Sequence, residues 1–186
     1  MPEPFAIEGF AIVTADGMIA DANGVMPDTL RYDADQQWLS AALDRVDLIL
    51  QGKHSHEGHA NSASRRRFWL THSVAALASK ADAANEWLWN PAGIELSAAC
   101  RAIGLEGGAI AVLGGPSVYD LFLPRYSAFN LSRAGKIRLP GGTPVFSHAG
   151  ANFKVEDVLS AAGLVAEATR MLDADNEVTV TRWVRK

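Results

Sequence analysis

Apolar residues recur along this chain in two rhythms that hand over to one another. Phe10-Ala11-Ile12-Val13-Thr14-Ala15 is a continuous apolar run of strand length, whereas Trp38, Leu39, Ala42, Leu43 and Val46 fall at spacings of three and four, the repeat of one helical face. Strand-like runs return at 46–51, 67–71, 86–89, 109–113 and 128–132, and helices are predicted at 34–45, 53–59, 91–103, 117–123 and near 155–162. Asn90-Pro91 and Gly104 bracket the third of these helices as start and stop signals. Towards the end the rhythm changes, and 164–172 and 177–185 flank Asp173-Ala174-Asp175-Asn176 as a hairpin. Strands that alternate with helices predict a largely parallel sheet covered on both faces, with ligands at the carboxyl ends of the strands.

Composition narrows the picture by exclusion. A chain of 186 residues, 48% hydrophobic and 20% charged, fits a single domain over 1–186 with a sizeable core. A net charge of -4 gives nucleic-acid binding no electrostatic support. No apolar run reaches bilayer length, and Met1-Pro2-Glu3-Pro4 lacks the basic and apolar regions of a signal peptide, so a cytoplasmic protein without membrane or nucleic-acid partners is expected. An exposed sheet edge or a tryptophan-rich face would allow a homodimer. Cys100 is the one cysteine and lies in the apolar run 94–103, where it reads as a small core residue and excludes an internal disulfide.

Three segments carry the candidate chemistry. In Ile110-Ala111-Val112-Leu113-Gly114-Gly115-Pro116-Ser117-Val118-Tyr119 an apolar strand passes through a glycine pair into a helix, which lets backbone amides approach an anion. Asp47-Leu48-Ile49-Leu50-Gln51-Gly52-Lys53-His54-Ser55 repeats the plan with a basic residue and a hydroxyl after the glycine. A third, Arg65-Arg66-Arg67-Phe68-Trp69-Leu70-Thr71-His72-Ser73, is a basic cluster feeding a strand that ends in polar residues; read without a ligand, the arginines are a solvated charge run. Several chemistries are missing their motifs. The third glycine of G-x-G-x-x-G is absent, no G-x-x-x-x-G-K-[ST] precedes Lys53, and Ser117 lies in no G-x-S-x-G elbow. His-Glu-Gly-His at 56–59 is one residue short of the zincin spacing, so no metal is expected.

In these segments the chain resembles the dihydrofolate reductase superfamily, which includes the riboflavin-pathway pyrimidine reductases. The resemblance implies a three-layer α/β fold with a central mixed, mostly parallel sheet, helices on both faces and an antiparallel C-terminal hairpin. It also implies NADPH as cofactor. Gly114, Gly115, Pro116, Ser117, Val118 and Tyr119 would hold the pyrophosphate together with Leu113, and Gly52, Lys53, His54 and Ser55 the adenosine phosphate and pyrophosphate. Thr71, His72 and Ser73 would meet the adenosine ribose, and Val13 and Ile19 complete the cofactor side. Lys53 stands where the family usually has arginine, which replaces a planar fork by a point charge. Ile12, Leu39, Arg65 and Ser132 would meet the substrate, with Arg65 on its carboxylate. After Met26-Pro27 this chain has Asp28, where dihydrofolate reductases usually have tryptophan.

The proton donor is expected at Asp35, with Asp33 as the alternative. Asp35 lies on the apolar face of the helix predicted over 34–45, where burial favours the protonated form. Asp33 precedes the helix with Gln36 three residues on, the pattern of a capping box. The activity implied is NADPH-dependent reduction of a C=N bond in a small heterocycle. A pterin, 7,8-dihydrofolate to tetrahydrofolate, is the leading reading. Asp16-Gly17-Met18-Ile19-Ala20 resembles the riboflavin-pathway reductases and supports a ribosylamino-pyrimidine instead, although no deaminase motif accompanies it. A dinucleotide-binding protein without turnover is the third reading.

Overall fold

The apolar strands pair into one sheet that is parallel in its middle and antiparallel at both edges. The computed structural model describes residues 4–53, 55, 58–147 and 154–186. Its strands are β1 (Phe5–Thr14), β2 (Met18–Ala20), β3 (Leu48–Gly52), β4 (Arg67–Leu70), β5 (Leu77–Ser79), β6 (Glu86–Trp89), β7 (Gly108–Val112), β8 (Ala128–Ala134), β9 (Thr143–Pro144), β10 (Leu164–Ala166), β11 (Arg170–Asp173) and β12 (Val178–Arg185). The helices are α1 (Asp33–Leu43), α2 (Leu96–Ala102), α3 (Pro116–Phe122) and α4 (Val155–Ala161). Across the main sheet the order is β10-β12-β8-β1-β7-β3-β4-β6-β5, with β11 paired to β12. The strands from β8 to β6 run parallel, while β12 and β5 are antiparallel to their neighbours. β2 and β9 form a separate small ribbon. Among the described residues no helix is long and apolar enough to cross a membrane.

Strand alternation divides the core into two unequal layers. Ile7, Val13, Leu48, Leu50, Phe68, Ile110 and Val112 point to the side closed by Leu96, Ala99 and Cys100 of α2, Val118 and Phe122 of α3, and Leu159 of α4. The alternate positions Phe10, Ile49 and Ala111 point to the other side, where Ala42 and Leu43 of α1 cover them, with Trp38 and Leu39 packed alongside. The three-layer arrangement and the antiparallel C-terminal edge match the expected fold.

Four local readings are corrected. The helix predicted at 53–59 is not formed by its described members: the Ser55 amide donates to the Gly52 carbonyl in a tight turn (3.0 Å), and the Ser55 carbonyl accepts from the Gln51 carboxamide (2.8 Å) rather than from a helical amide. α2 starts at Leu96 instead of Pro91, because the Asn90 carbonyl and side chain take up the amides of Gly93, Ile94 and Ala92 in a turn of their own. The 164–172 run splits into β10 and β11, which pair with opposite ends of β12. Finally, Asp33 is the first residue of α1 and its cap position is Tyr32, so the capping-box reading of Asp33 and Gln36 fails; no side chain caps this helix.

Candidate functional site

Asp35 lies in the first turn of α1, 3% exposed, whereas Asp33 is exposed. Helix phase accounts for the difference, since Asp35 shares its face with Trp38 and Leu39, and Trp38 packs on Phe10 with ring centroids 6.0 Å apart. The Asp35 carboxylate accepts a hydrogen bond from the Ser132 hydroxyl, and Ser132 lies beside Ile12 in the register of β8 and β1. Desolvation pushes the Asp35 carboxyl above its usual range, opposed by the Ser132 hydrogen bond and by the nearby His59. The His59 ring is held against α1 by Gln36, with Nε2 3.2 Å from Oε1. The structure thus gathers Asp35, Ile12, Ser132 and the half-buried Leu39 near the carboxyl ends of β1 and β8. His59, dismissed in the sequence as a metal ligand, belongs beside them; no local spacing could have revealed this.

The two glycine segments meet at the same end of the sheet. The Gly52 amide, at the end of β3, donates to the Gly114 carbonyl at 2.7 Å. Gly114, joined to Gly115 by a cis peptide bond, has φ +96° and lies against the Tyr119 ring, where a Cβ atom would come within 2.6 Å of Cε2. Gly115 differs: a Cβ there would meet nothing within 4 Å. Leu113, Gly115, Pro116 and Ser117 therefore border a turn whose Gly115 face is open, while Val118 is buried against the core with its side chain near Gly52.

Other predicted residues are placed as follows. Lys53 is exposed, and Lys53 and Thr71 line one cavity at the carboxyl ends of β3 and β4. Ser55 and Ile19 are half-buried. The Thr71 hydroxyl donates to Ser73 Oγ (2.9 Å) and accepts from the Ser73 amide, leaving His72 and Ser73 exposed on a short turn. His54 lies outside the described residues. Two of the predicted cofactor residues offer no side-chain surface. Val13 is fully buried, because alternation along β1 turns it away from Ile12 into the larger core layer, and its side chain has no surface for a ligand. Tyr119 is 3% exposed, donates its hydroxyl to the Phe10 carbonyl at 2.5 Å and packs edge-on against Phe129. Its role is to support the turn from below. Tyr119→Phe is expected to cost about 1 kcal/mol in denaturant unfolding and to leave cofactor affinity unchanged; a loss of affinity without a loss of stability would reverse that assignment.

Arg65 is reassigned in its contacts as well. It is 8% exposed, and its guanidinium donates from Nε and Nη2 to Asp44 Oδ1 (3.2 and 2.6 Å) and from Nη2 to the carbonyl and hydroxyl of Ser40 (3.1 and 3.0 Å). Asp44 is the acceptor that sequence reasoning missed, 21 residues away in the chain. Hydrogen bonds from Arg65 and Asn61 hold its carboxyl below the usual range. The guanidinium that the resemblance assigns to a substrate carboxylate is thus engaged by the end of α1.

No family model and no curated protein matches the sequence. Solved structures do. A protein of Shewanella sp. PV-4 named for riboflavin biosynthesis superposes with a TM-score of 0.66 at 18% identity, over 97% of this chain and 99% of that one. Dihydrofolate reductase from Enterococcus faecalis, complexed with NADP(H) and RAB-propyl, superposes at 0.62 with 13% identity, over 97% and 96%. The fold is dihydrofolate reductase-like. A third similar structure is the diaminohydroxyphosphoribosylaminopyrimidine deaminase/5-amino-6-(5-phosphoribosylamino)uracil reductase of Thermotoga maritima, with a TM-score of 0.67 at 16% identity. This chain is covered over 99% there but spans 57% of that longer protein. In the dihydrofolate reductase-like frame, the glycine turns and the Asp35 cluster stand at the carboxyl ends of the central strands, where α/β sheets take their ligands.

Proposed function

We propose that this protein is an NADPH-dependent reductase that delivers hydride to the carbon of a C=N bond in a small nitrogen heterocycle. The observation that carries the reading is the buried Asp35, bonded by Ser132 at the strand ends beside the two glycine turns. When bound, a reduced nicotinamide supplies the hydride. Gly52, Gly114 and Gly115 fit a dinucleotide: the two turns are bonded to each other, and Gly115 leaves open the space that a side chain would fill. Lys53 stands at the rim for the adenosine phosphate, with Thr71 close by.

Asp35 holds the proton that the substrate nitrogen must receive. Reduction adds hydride to carbon and a proton to nitrogen, and a carboxyl whose protonated form is favoured by burial is suited to supply or relay that proton. Ser132 orients the carboxyl by donating to it. Ile12 and Leu39 offer apolar surface to the ring.

Between the two heterocycles of the sequence reading, Arg65 favours the one without a carboxylate tail. Its guanidinium is already bonded to Asp44 and Ser40, so a folate carboxylate would have to displace a charged partner. Asp28 in place of tryptophan points the same way. A ribosylamino-pyrimidine or a tail-less dihydropterin is therefore preferred to dihydrofolate.

Steady-state NADPH oxidation with dihydrofolate, dihydrobiopterin and the pyrimidine intermediate tests both levels. Turnover with a tail-less substrate and little with dihydrofolate is expected. No oxidation with any of them, despite NADPH binding, would leave the binding-protein reading. Lys53→Ala is expected to weaken NADPH by severalfold to about tenfold, and NADH much less, because only NADPH carries the additional phosphate. Equal losses would show that Lys53 is a solvated surface charge.

A further inference from the structure

Among the described residues, asparagines stand at positions 23, 61, 85, 90, 130 and 176, and all but the first are held by their carboxamides. Asn61 Nδ2 donates to Asp44, Asn85 to the Ala63 carbonyl, Asn90 to the Val74 carbonyl, Asn130 to Glu8 and Asn176 to Asp173. The Asn23 carboxamide is bonded to none of the described residues. It is exposed in the turn between β2 and α1, and Asn23 alone of these asparagines is followed by glycine.

An asparagine side chain can be attacked at Cγ by the amide nitrogen of the next residue. The new N–C bond closes a succinimide ring, the amide proton leaves with the expelled ammonia, and water then opens either ring carbonyl to give aspartate or its isoaspartyl isomer. Glycine hinders this attack least. At Gly24 a Cβ would meet nothing within 4 Å, so both ring closure and the approach of water are sterically open. What opposes them is the bonding of the turn itself. The Gly24 amide donates to the Asp21 carbonyl at 3.0 Å, a bond it must give up in order to attack. Asp21 Oδ1 accepts from the amides of Asn23 (2.8 Å) and Val25 (2.9 Å), and the Asp21 amide donates to the Val25 carbonyl at 2.9 Å. The Thr143 hydroxyl of β9 donates to the Asp21 carbonyl as well, at 2.7 Å. Asp21 thus fastens the turn through its amide, its carbonyl and its carboxylate.

We propose that Asn23 is a site of self-modification, converted through the succinimide and water to aspartate and isoaspartate, and that Asp21 is the residue that restrains the reaction. The product acts back on the same turn. Its new carboxylate stands close in the chain to that of Asp21, and the like charges repel. The isoaspartyl form also lengthens the main chain by a methylene, which spoils the spacing of the two amides that Asp21 Oδ1 bridges. Modification therefore loosens the segment that leads into α1. The inference does not depend on the reductase reading.

The test is incubation of the full chain in mildly alkaline buffer, folded and in guanidinium chloride, with peptide mapping of the aspartyl and isoaspartyl products over time. In the folded chain Asn23 is expected to react before the other described asparagines, yet about tenfold or more slowly than in the denatured chain, because the bonds of the turn must first open. Asp21→Ala removes the acceptor of two amides and is expected to close most of that gap. Asp21→Asn keeps a side-chain oxygen for both amides and should close little of it. Melting curves establish that both variants are folded. The proposal is overturned if another described asparagine reacts first in the folded chain, if Asn23 does not react, if denaturation does not speed its reaction, or if Asp21→Ala leaves the folded rate unchanged. The comparison of folded with denatured chain needs no variant, and failure of NADPH turnover would leave it untouched.

Discussion

Asp35→Asn is expected to slow hydride transfer by about a hundredfold or more at neutral pH and, in the same protein, to raise the melting temperature. Both effects come from one desolvated carboxyl. Burial lifts its folded-state pKa above the usual 3.8, so the folded protein binds this proton more tightly than the unfolded chain does. Stability from this group is therefore fully present below the unfolded value and is lost as pH rises through the folded one. Above that, the protein carries the cost of an ionised buried carboxylate. Asparagine does not titrate and can still accept from Ser132, so its stabilising effect should appear above the folded pKa and disappear in acid. The rate should follow the opposite course: wild-type turnover falls as pH rises through an apparent pKa, and that limb is missing in the variant.

Asp33→Asn supplies the contrast. Asp33 is exposed at the start of α1 and caps nothing, so the substitution should leave rate and melting temperature nearly unchanged. Stopped-flow hydride transfer and thermal unfolding across pH would measure both variants. If Asp33→Asn were the damaging change, or if Asp35→Asn lost stability at neutral pH, the assignment of the proton to Asp35 would fail.

The order of strands and helices was legible because burial imposes periodicity. The three-and-four spacing of Trp38, Leu39, Ala42 and Leu43 predicts which side α1 turns inward, and that phase separates Asp35 from Asp33 even though the predicted start of the helix is one residue late. What escaped the sequence was settled by partners distant in the chain. Nothing near Arg65 announces that Asp44 and Ser40 will take its guanidinium, and nothing near Tyr119 announces the Phe10 carbonyl 109 residues away. β5 was missed for a local reason: Leu77-Ala78-Ser79 is short, and alanine and serine are poor strand formers, so it forms only by pairing with β6. The described members of the helix predicted over 53–59 are not helical, and there the Gln51 carboxamide takes the Ser55 carbonyl.

The glycine turn offers a sharper test than any single contact, because its two glycines are expected to fail in different ways when replaced by alanine. Gly114 has φ +96°, and its added Cβ would lie 2.6 Å from Cε2 and 2.8 Å from Cζ of Tyr119. That ring cannot yield, since it is bonded to the Phe10 carbonyl and wedged against Phe129 and Phe146. Overpacking and the left-handed backbone together should cost about 2–5 kcal/mol, or roughly 10 °C in melting temperature for a chain of this size. Gly115 has φ -72° and open space around its missing side chain, so alanine there should cost about 1 kcal/mol or less, the difference between glycine and alanine at a helix cap. Its methyl group, however, would stand in the space proposed for the pyrophosphate, and NADPH affinity should fall about tenfold or more. Calorimetric unfolding and NADPH titration of the two variants separate support of the turn from contact with the ligand. A Gly115→Ala protein that binds NADPH like the wild type would remove the turn from the cofactor site, whatever Gly114→Ala does to stability.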